Sequence, residues 1–139
     1  MKKDLIITAG GKNIAPQNIE NQLKASPYVN DAVVIGDKRK YLVSLILIEE
    51  ENVIKYAQDH AVSFTTYSDL ARNAEIEKLI AGVVKAVNKD LAGVEQIKKF
   101  RILDKRLEQE DGEVTPTMKI KRARISRIYE DVIEQMYRG

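Results

Sequence analysis

Five cations fall within nine residues near the C-terminal end of the chain: Lys119, Lys121, Arg122, Arg124 and Arg127. They follow a short polar loop, Glu113-Val114-Thr115-Pro116-Thr117-Met118, which is introduced by the turn signal Asp111-Gly112. Behind them Ile125, Ile128, Val132 and Met136 recur at spacings of three and four, the pattern of an amphipathic helix. In one continuous helix those charges run against the macrodipole. The cations crowd the positive N-terminal end, while Glu130, Asp131 and Glu134 sit toward the other end. The mismatch makes sense if the loop and first turn face an anion, because free backbone N–H groups and cations together suit a phosphate or carboxylate. The plainer reading is a solvated helix laced by Arg127–Asp131 and Glu134–Arg138 pairs at i,i+4.

A second stretch lies at the opposite end of the chain. Ala9-Gly10-Gly11-Lys12-Asn13 follows the apolar run Leu5-Ile6-Ile7 and precedes Ile14-Ala15. Adjacent glycines allow positive φ and close backbone approach, so the spacing predicts at least a tight hairpin turn. No G-x-x-x-x-G-K-[ST] pattern occurs, which excludes a P-loop.

Composition removes several other chemistries. The chain has no cysteine and a single histidine, His60, so thiolate chemistry, disulfides and zinc clusters are out of reach. One histidine cannot serve a Ser/His/Asp set, and no G-x-S-x-G elbow is present. His60 reads as a surface residue at a helix end. The net charge is only +2, and the few aromatics are not interleaved with the cations, so the sequence gives no nucleic-acid surface. No apolar run approaches the roughly 18 residues of a membrane span, and no signal peptide is recognisable. With 44% hydrophobic and 32% charged residues over 139 positions, one soluble domain with a real core is expected, in a cytoplasmic setting.

The elements that must position these two stretches are expected in the following order. A short strand, the glycine turn and a return strand lead into a helix starting at Pro16, with Ile19 and Leu23 on one face and Pro27 beyond its end. Val29 to Gly36 is a strand, Asp37-Lys38-Arg39-Lys40 a charged turn, and Tyr41 to Ile48 a second strand. The unbroken apolar run Leu45-Ile46-Leu47-Ile48 places that strand in the centre, covered on both faces. Glu49-Glu50-Glu51 opens a helix to about Asp59. The interval 61–72 reads as a loop with one short turn. Asn73 caps a long helix carrying Ile76, Ile80 and Val84, and Gly93 ends it. Phe100 and Ile102 alternate in a third strand, and Asp104 to Gly112 is a charged connector. The expected class is α+β: a small sheet of about three main strands plus an N-terminal hairpin, packed with helices.

Both stretches carry a family resemblance. Lys3-Asp4-Leu5-Ile6-Ile7-Thr8-Ala9-Gly10-Gly11-Lys12-Asn13-Ile14-Ala15-Pro16-Gln17-Asn18-Ile19-Glu20 resembles the hinge, glycine loop and P-x-E-I-E-like helix start of acyl-activating, AMP-forming enzymes. Thr115-Pro116-Thr117-Met118-Lys119-Ile120-Lys121-Arg122 resembles that family's last core motif, P-K-T-x-S-G-K-I-x-R. The T-P-T-x-K-x-K-R form is similar to the long-chain fatty-acid–CoA ligase branch. The two motifs frame almost the whole chain in the expected order. Four departures are visible. Met1 stands where an arginine precedes the hinge and reads as an expression start, Met118 replaces the glycine before the motif lysine, Gln17-Asn18-Ile19-Glu20 keeps Glu20 but lacks the first acid of P-x-E-I-E, and the 61–72 region is longer than in short-chain relatives.

The resemblance implies that residues 1–139 are the small C-terminal lid domain of a two-domain ligase whose large N-terminal domain is absent here. That enzyme joins a carboxylate to ATP, giving acyl-AMP and pyrophosphate, and CoA thiolate then displaces AMP. In this scheme Lys119 bridges the substrate carboxylate and the nucleotide, Lys3 is the hinge, and Gly10 and Gly11 line the CoA tunnel in the second-step orientation. ATP/AMP, CoA and a long-chain fatty acid are the implied ligands, with Mg2+ entering through ATP and the large domain. The implied partner is the chain's own N-terminal domain, with peripheral membrane association of the whole enzyme and no nucleic acid. A fragment of this kind is expected to be inactive alone. Two other readings stay open on the residues: a free-standing α+β module that holds acidic partners, and a standalone domain that assembles with a separately encoded adenylating protein.

Overall fold

The computed structural model describes residues 5–104 and 122–138. The chain opens with a hairpin of two short antiparallel strands, β1 (Ile6–Ile7) and β2 (Asn13–Ile14), in which Ile6 lies opposite Ile14. Helix α1 (Pro16–Lys24) starts at proline, whose fixed φ suits the first helical position, and buries Ile19 and Leu23. Strands β3 (Val29–Ile35), β4 (Leu42–Ile48) and β5 (Ile97–Ile102) form one sheet in that order. β3 and β4 are antiparallel, whereas β5 runs parallel to β4, so the sheet is mixed. Helices α2 (Glu50–Asp59), α3 (Tyr67–Arg72) and α4 (Ala74–Asn88) make the crossover from β4 to β5, and α5 (Arg122–Ile128) and α6 (Glu130–Arg138) close the described chain.

Every residue of β4 is buried, as its unbroken apolar run requires of a strand covered on both sides. The pleat divides those side chains into two cores. Val34, Leu42, Ile46 and Ile48 face one cluster with Ile6 and Ile14 of the hairpin, Leu23 of α1 and Ile76 and Ile80 of α4. Val33, Ile35, Val43, Leu45 and Leu47 face the other, with Ile125 of α5 and Ile133 and Met136 of α6. The glycine hairpin and the C-terminal helices therefore belong to opposite faces of the same sheet. β3 is an edge strand. Its outward Val34 N–H donates to Glu20 Oε2 at 2.7 Å, so the buried Glu20 of the P-x-E-I-E-like segment covers part of that edge.

Three boundaries differ from the expectation. The 61–72 interval contains a real helix, α3, because the Thr66 hydroxyl accepts from Asp69 N–H at 3.1 Å and Leu70 is fully buried beneath it. Helix α4 stops at Asn88 and not at Gly93, which instead opens a 3-10 turn (Gly93–Glu95). Side-chain amides end the helix. Asn88 exchanges two hydrogen bonds with the Ile97 backbone, at 2.8 and 2.9 Å, while Gln96 donates to the Asn88 and Leu91 carbonyls. These contacts satisfy orphan carbonyls and fix where β5 begins. The third difference concerns the C-terminal helix, which is interrupted at Tyr129. Asn73 does cap α4, accepting from Glu75 N–H at 2.8 Å, and His60 sits exposed at the end of α2, stacked on Tyr56.

Candidate functional site

The break at Tyr129 changes the reading of the basic stretch. Glu130 and Asp131 occupy the first turn of α6, where acids are favourable, and Arg127 lies in the last turn of α5, where a cation is favourable. Glu130, Asp131 and Arg127, which opposed a single helix, thus agree with two, while Arg122 and Arg124 still stand in the first turn of α5. The buried stripe also shifts: Ile125, Ile133 and Met136 are buried, Val132 is half-buried, and Ile128 is 37% exposed. Glu134 pairs with Arg39 of the β3–β4 turn, a partner from outside its own helix. Lys3 and Lys119 lie outside the described residues, as does most of the connector expected between Asp104 and Gly112.

Gly10 and Gly11 are described, and they differ. Gly11 has φ +82°, a conformation that L side chains rarely adopt, yet a Cβ there would meet nothing within 4 Å. At Gly10 a Cβ would meet only Thr8 Oγ1, at 3.9 Å. The turn is closed by Gly11 N–H to the Thr8 carbonyl (2.9 Å) and Thr8 N–H to the Lys12 carbonyl (3.0 Å). The fold requires glycine at 11 for its backbone, and at 10 it sets no such demand. Above both positions the hairpin surface is open.

The hairpin is seated on the β3–β4 turn. Lys38 N–H donates to the Ile7 carbonyl (2.7 Å), Ala9 N–H to the Arg39 carbonyl (2.9 Å), and Ile7 N–H to Asp37 Oδ1 (3.1 Å). Lys38 reaches its partner from φ +60°, unusual for a residue with a side chain. Gly36 allows the turn to close, since a Cβ there would run into the Leu42 side chain.

The C-terminal helix docks on the same turn from the other face. Tyr41 Oη donates to the Met136 carbonyl at 3.0 Å, and Tyr137 Oη donates to the Tyr41 carbonyl at 2.7 Å. The Arg39 guanidinium is ion-paired with Glu134 and stands 4.7 Å from the Tyr137 ring centroid. That pairing holds the Glu134 carboxyl below its usual range and the guanidinium above its own. Burial pushes the Tyr137 phenol well up. Between hairpin, turn and helices a cleft of about 420 Å³ remains, with Gly36, Asp37 and Arg39 on one side and Ser126, Arg127 and Glu130 on the other. Among the described residues no group of three or more His, Asp or Glu is placed to hold a metal ion, and no helix is long and apolar enough to cross a membrane.

The sequence had presented 37–40 as an ordinary charged turn. Its role as the seat of both framing segments comes from tertiary contacts, for which the only local signal is a glycine followed by four charged residues.

Residues 3–139 match the family model of the AMP-binding enzyme C-terminal domain. The chain is 38% identical over 137 residues to the long-chain-fatty-acid–CoA ligase FadD15 of Mycobacterium tuberculosis, an alignment covering 98% of this chain and 23% of that protein. It is 33% identical over 153 residues to the long-chain-fatty-acid–CoA ligase ACSBG2 of Gallus gallus, covering 97% of this chain and 20% of the relative. The chain thus spans about a quarter or less of the curated relatives it matches. In fold it is similar to part of the adenylation domain of the carboxylate reductase of Mycobacterium chelonae, with a TM-score of 0.75 and 21% identity over 99% of this chain and 20% of that one. The match over nearly its whole length, together with the hairpin, mixed sheet and C-terminal helices, means that this chain belongs to the AMP-binding enzyme C-terminal domain family.

Proposed function

We propose that residues 1–139 act as the lid of an ATP-dependent long-chain fatty-acid–CoA ligase, serving both half-reactions from one end of the domain. The supporting observation is that the glycine hairpin and the helices following the lysine motif, which belong to opposite faces of the sheet, meet at the turn 36–41. A lid that swaps one working edge for another needs both edges on a single rigid piece, and the shared sheet supplies it. The nucleotide pocket, the acyl tunnel and the ligands for Mg2+ belong, in this reading, to a large N-terminal domain joined through Lys3. The location is cytoplasmic, with peripheral membrane association of the whole enzyme.

In the first half-reaction a fatty-acid carboxylate attacks the α-phosphorus of ATP and pyrophosphate leaves. Two anionic centres must approach, and the Lys119 ammonium, preorganised in a site that excludes water, offsets their repulsion as charge builds. In the second, the CoA thiolate attacks the acyl carbon and AMP leaves, with Gly10 and Gly11 leaving room for the pantetheine arm. The open space above Gly11 and the indifference of the fold to a Cβ at Gly10 fit a surface kept bare for a ligand.

The test is a pair of half-reaction assays on the two-domain ligase carrying this chain. Lys119→Ala should lower acyl-adenylate formation by about 10²–10³-fold, the scale for losing one preorganised contact to the transition state, and should spare thioester formation from supplied acyl-adenylate. Lys121→Ala and Arg124→Ala should each cost about tenfold or less, as expected of charges that contact no reacting atom. Gly11→Leu should do the reverse of Lys119→Ala, blocking thioester formation and sparing adenylation. Equal losses at every cation, fading together in salt, would leave only a basic patch.

A further inference from the structure

The three-stranded sheet has two outer edges, and they are finished differently. On β3 the outward N–H groups meet carboxylates: Val34 N–H donates to Glu20 Oε2 at 2.7 Å and Ala32 N–H to Asp31 Oδ1 at 2.9 Å. On β5 the Asn88 side-chain amide closes the first residue, bonding both the N–H and the carbonyl of Ile97 as a neighbouring strand would. Farther along, Leu103 N–H donates to the Ile46 carbonyl and so faces β4. Alternation along the strand then turns the main-chain groups of Phe100 and Ile102 outward. Among the described residues no strand lies beyond them. An unpaired edge of this kind is a template for one more strand.

A cleft of about 340 Å³ adjoins that edge. It is lined by Phe100, Arg101 and Ile102 of β5, Ala71 and Arg72 of α3, and Glu77 of α4. Phe100 and Ile102 are half-buried, so a seat for an apolar side chain lies next to the open main-chain groups. Helix α3, which supplies the far wall, has no task in the two half-reactions. The strand itself reads Ile97-Lys98-Lys99-Phe100-Arg101-Ile102, three cations and no acid. Lys98 and Arg101 are exposed, Arg101 reaching Gln135 Oε1 only at 3.4 Å. Two copies of β5 laid edge to edge would set these like charges against each other, which disfavours self-pairing. An acidic strand would meet them favourably.

We propose that the outer edge of β5 is a docking site for an extended acidic segment of a partner protein, which adds as a fourth strand and seats an apolar side chain in the cleft between β5, α3 and α4. Main-chain bonds to Phe100 and Ile102 supply the attachment, and the cleft with its cationic strand supplies the selectivity. Neither of the motifs framing the chain takes part.

The probe is an acetylated, amidated heptapeptide alternating glutamate with valine, added to the full 139-residue chain and followed by amide NMR and hydrogen exchange. Without peptide, the Phe100 and Ile102 amides should exchange about tenfold or more faster than that of Leu103, which is paired. Peptide should shift their resonances and slow their exchange by about tenfold, leaving the amides of Ala32 and Val34 unchanged. The same peptide with methylated main-chain nitrogens keeps every side chain but loses its donors, and should not bind. Lysine in place of glutamate should likewise abolish binding. In the double variant Lys98→Glu/Arg101→Glu, affinity for the acidic peptide should fall about tenfold and affinity for the basic one should appear. Both residues are exposed, so the fold should survive the change. Binding that ignores N-methylation would overturn strand addition and leave a charged patch. Slow exchange at Phe100 and Ile102 in the free chain would overturn the open edge, and protection that grows with protein concentration would make the occupant a second copy. Loss of peptide binding in the two-domain ligase would overturn the separate partner and give this edge to the large domain.

Discussion

The two segments that meet at the β3–β4 turn are held there by different kinds of force. At the turn itself the glycine hairpin is attached through its own backbone groups, Lys38 N–H to the Ile7 carbonyl, Ala9 N–H to the Arg39 carbonyl and Ile7 N–H to Asp37 Oδ1. Ile6 and Ile14 are buried in the first core, and the hairpin's own turn is closed by Thr8, Gly11 and Lys12. The C-terminal helix pair is attached by side chains: buried Ile125, Ile133 and Met136 beneath it, the Tyr41 and Tyr137 hydroxyls, and the Arg39–Glu134 ion pair. Main-chain attachment fixes geometry while leaving the surface side chains free to be anything a ligand requires. Side-chain attachment makes position depend on particular residues and on their protonation. For the lid proposed above, a glycine loop kept bare for a ligand is served by the first of these solutions.

The sharpest way to break the comparison is in the second core. Ile125→Ala should destabilise the protein by about 2–5 kcal/mol, the range for truncating a fully buried aliphatic side chain, since Ile125 is 0% exposed beneath α5. Ile128→Ala, three residues on and 37% exposed, should cost about 0.5 kcal/mol or less. Denaturant melts of the pair decide it. Similar losses at both positions would mean one continuous helix with the evenly spaced stripe of 125, 128, 132 and 136, and no break at Tyr129.

How much of this was legible in the sequence follows the same division. Local signals did well where the determining chemistry was local. Pro16 opened α1, Asn73 capped α4, the unbroken run 45–48 marked the central strand, and the glycine pair announced a hairpin. They failed where a distant partner decided the outcome. Gly93 looked like a helix end, but Asn88 and Gln96 had already terminated α4 through the backbone of 88–97. Arg127, Glu130 and Asp131 looked misplaced for a single helix because nothing local announced the interruption at Tyr129. The plainer reading of the spacing pairs Glu134 with Arg138, four residues away, whereas its ion-pair partner is Arg39, 95 positions earlier in the chain. The motifs framing the chain identified its family, yet the turn that seats both of their neighbours has no motif at all.

A smaller effect should separate the two hairpin glycines. Gly11→Ala should cost about 1 kcal/mol, because φ +82° strains any residue with a Cβ even though the space around it is empty. Gly10→Ala should change stability by less than about 0.5 kcal/mol, its Cβ meeting only Thr8 Oγ1 at ordinary contact distance. Thermal or urea melts of the two variants read the difference. Equal costs would mean that the hairpin backbone differs from the one described, and that its surface is less free of side-chain demands than main-chain attachment implies.

The smallest effects are those of protonation of the side chains that hold α6. Burial raises the Tyr137 phenol, so the folded helix favours the neutral form. Docking of α6 is therefore fully supported below the ordinary phenol value of about 10 and is lost as pH climbs toward the higher folded value. Glu134 runs the other way. The Arg39 hydrogen bond, assisted by the charges of Arg39 and Arg138, depresses its carboxyl. Its contribution is present above the ordinary glutamate value of about 4.3 and fades as pH falls through the lower folded value. Carboxyl-carbon NMR titration of Glu134 should thus give an apparent pKa below the usual range in wild type. In Arg39→Met it should return most of the way toward that range. Hydrogen exchange across 130–138 should rise at alkaline pH before the hairpin amides of 6–14 respond, because the Tyr137 hydroxyl holds only the former; the hairpin has a carboxylate contact of its own, Ile7 N–H to Asp37 Oδ1. Simultaneous opening of both segments at alkaline pH, or a Glu134 titration indifferent to Arg39, would mean that the two ends of the chain are held alike.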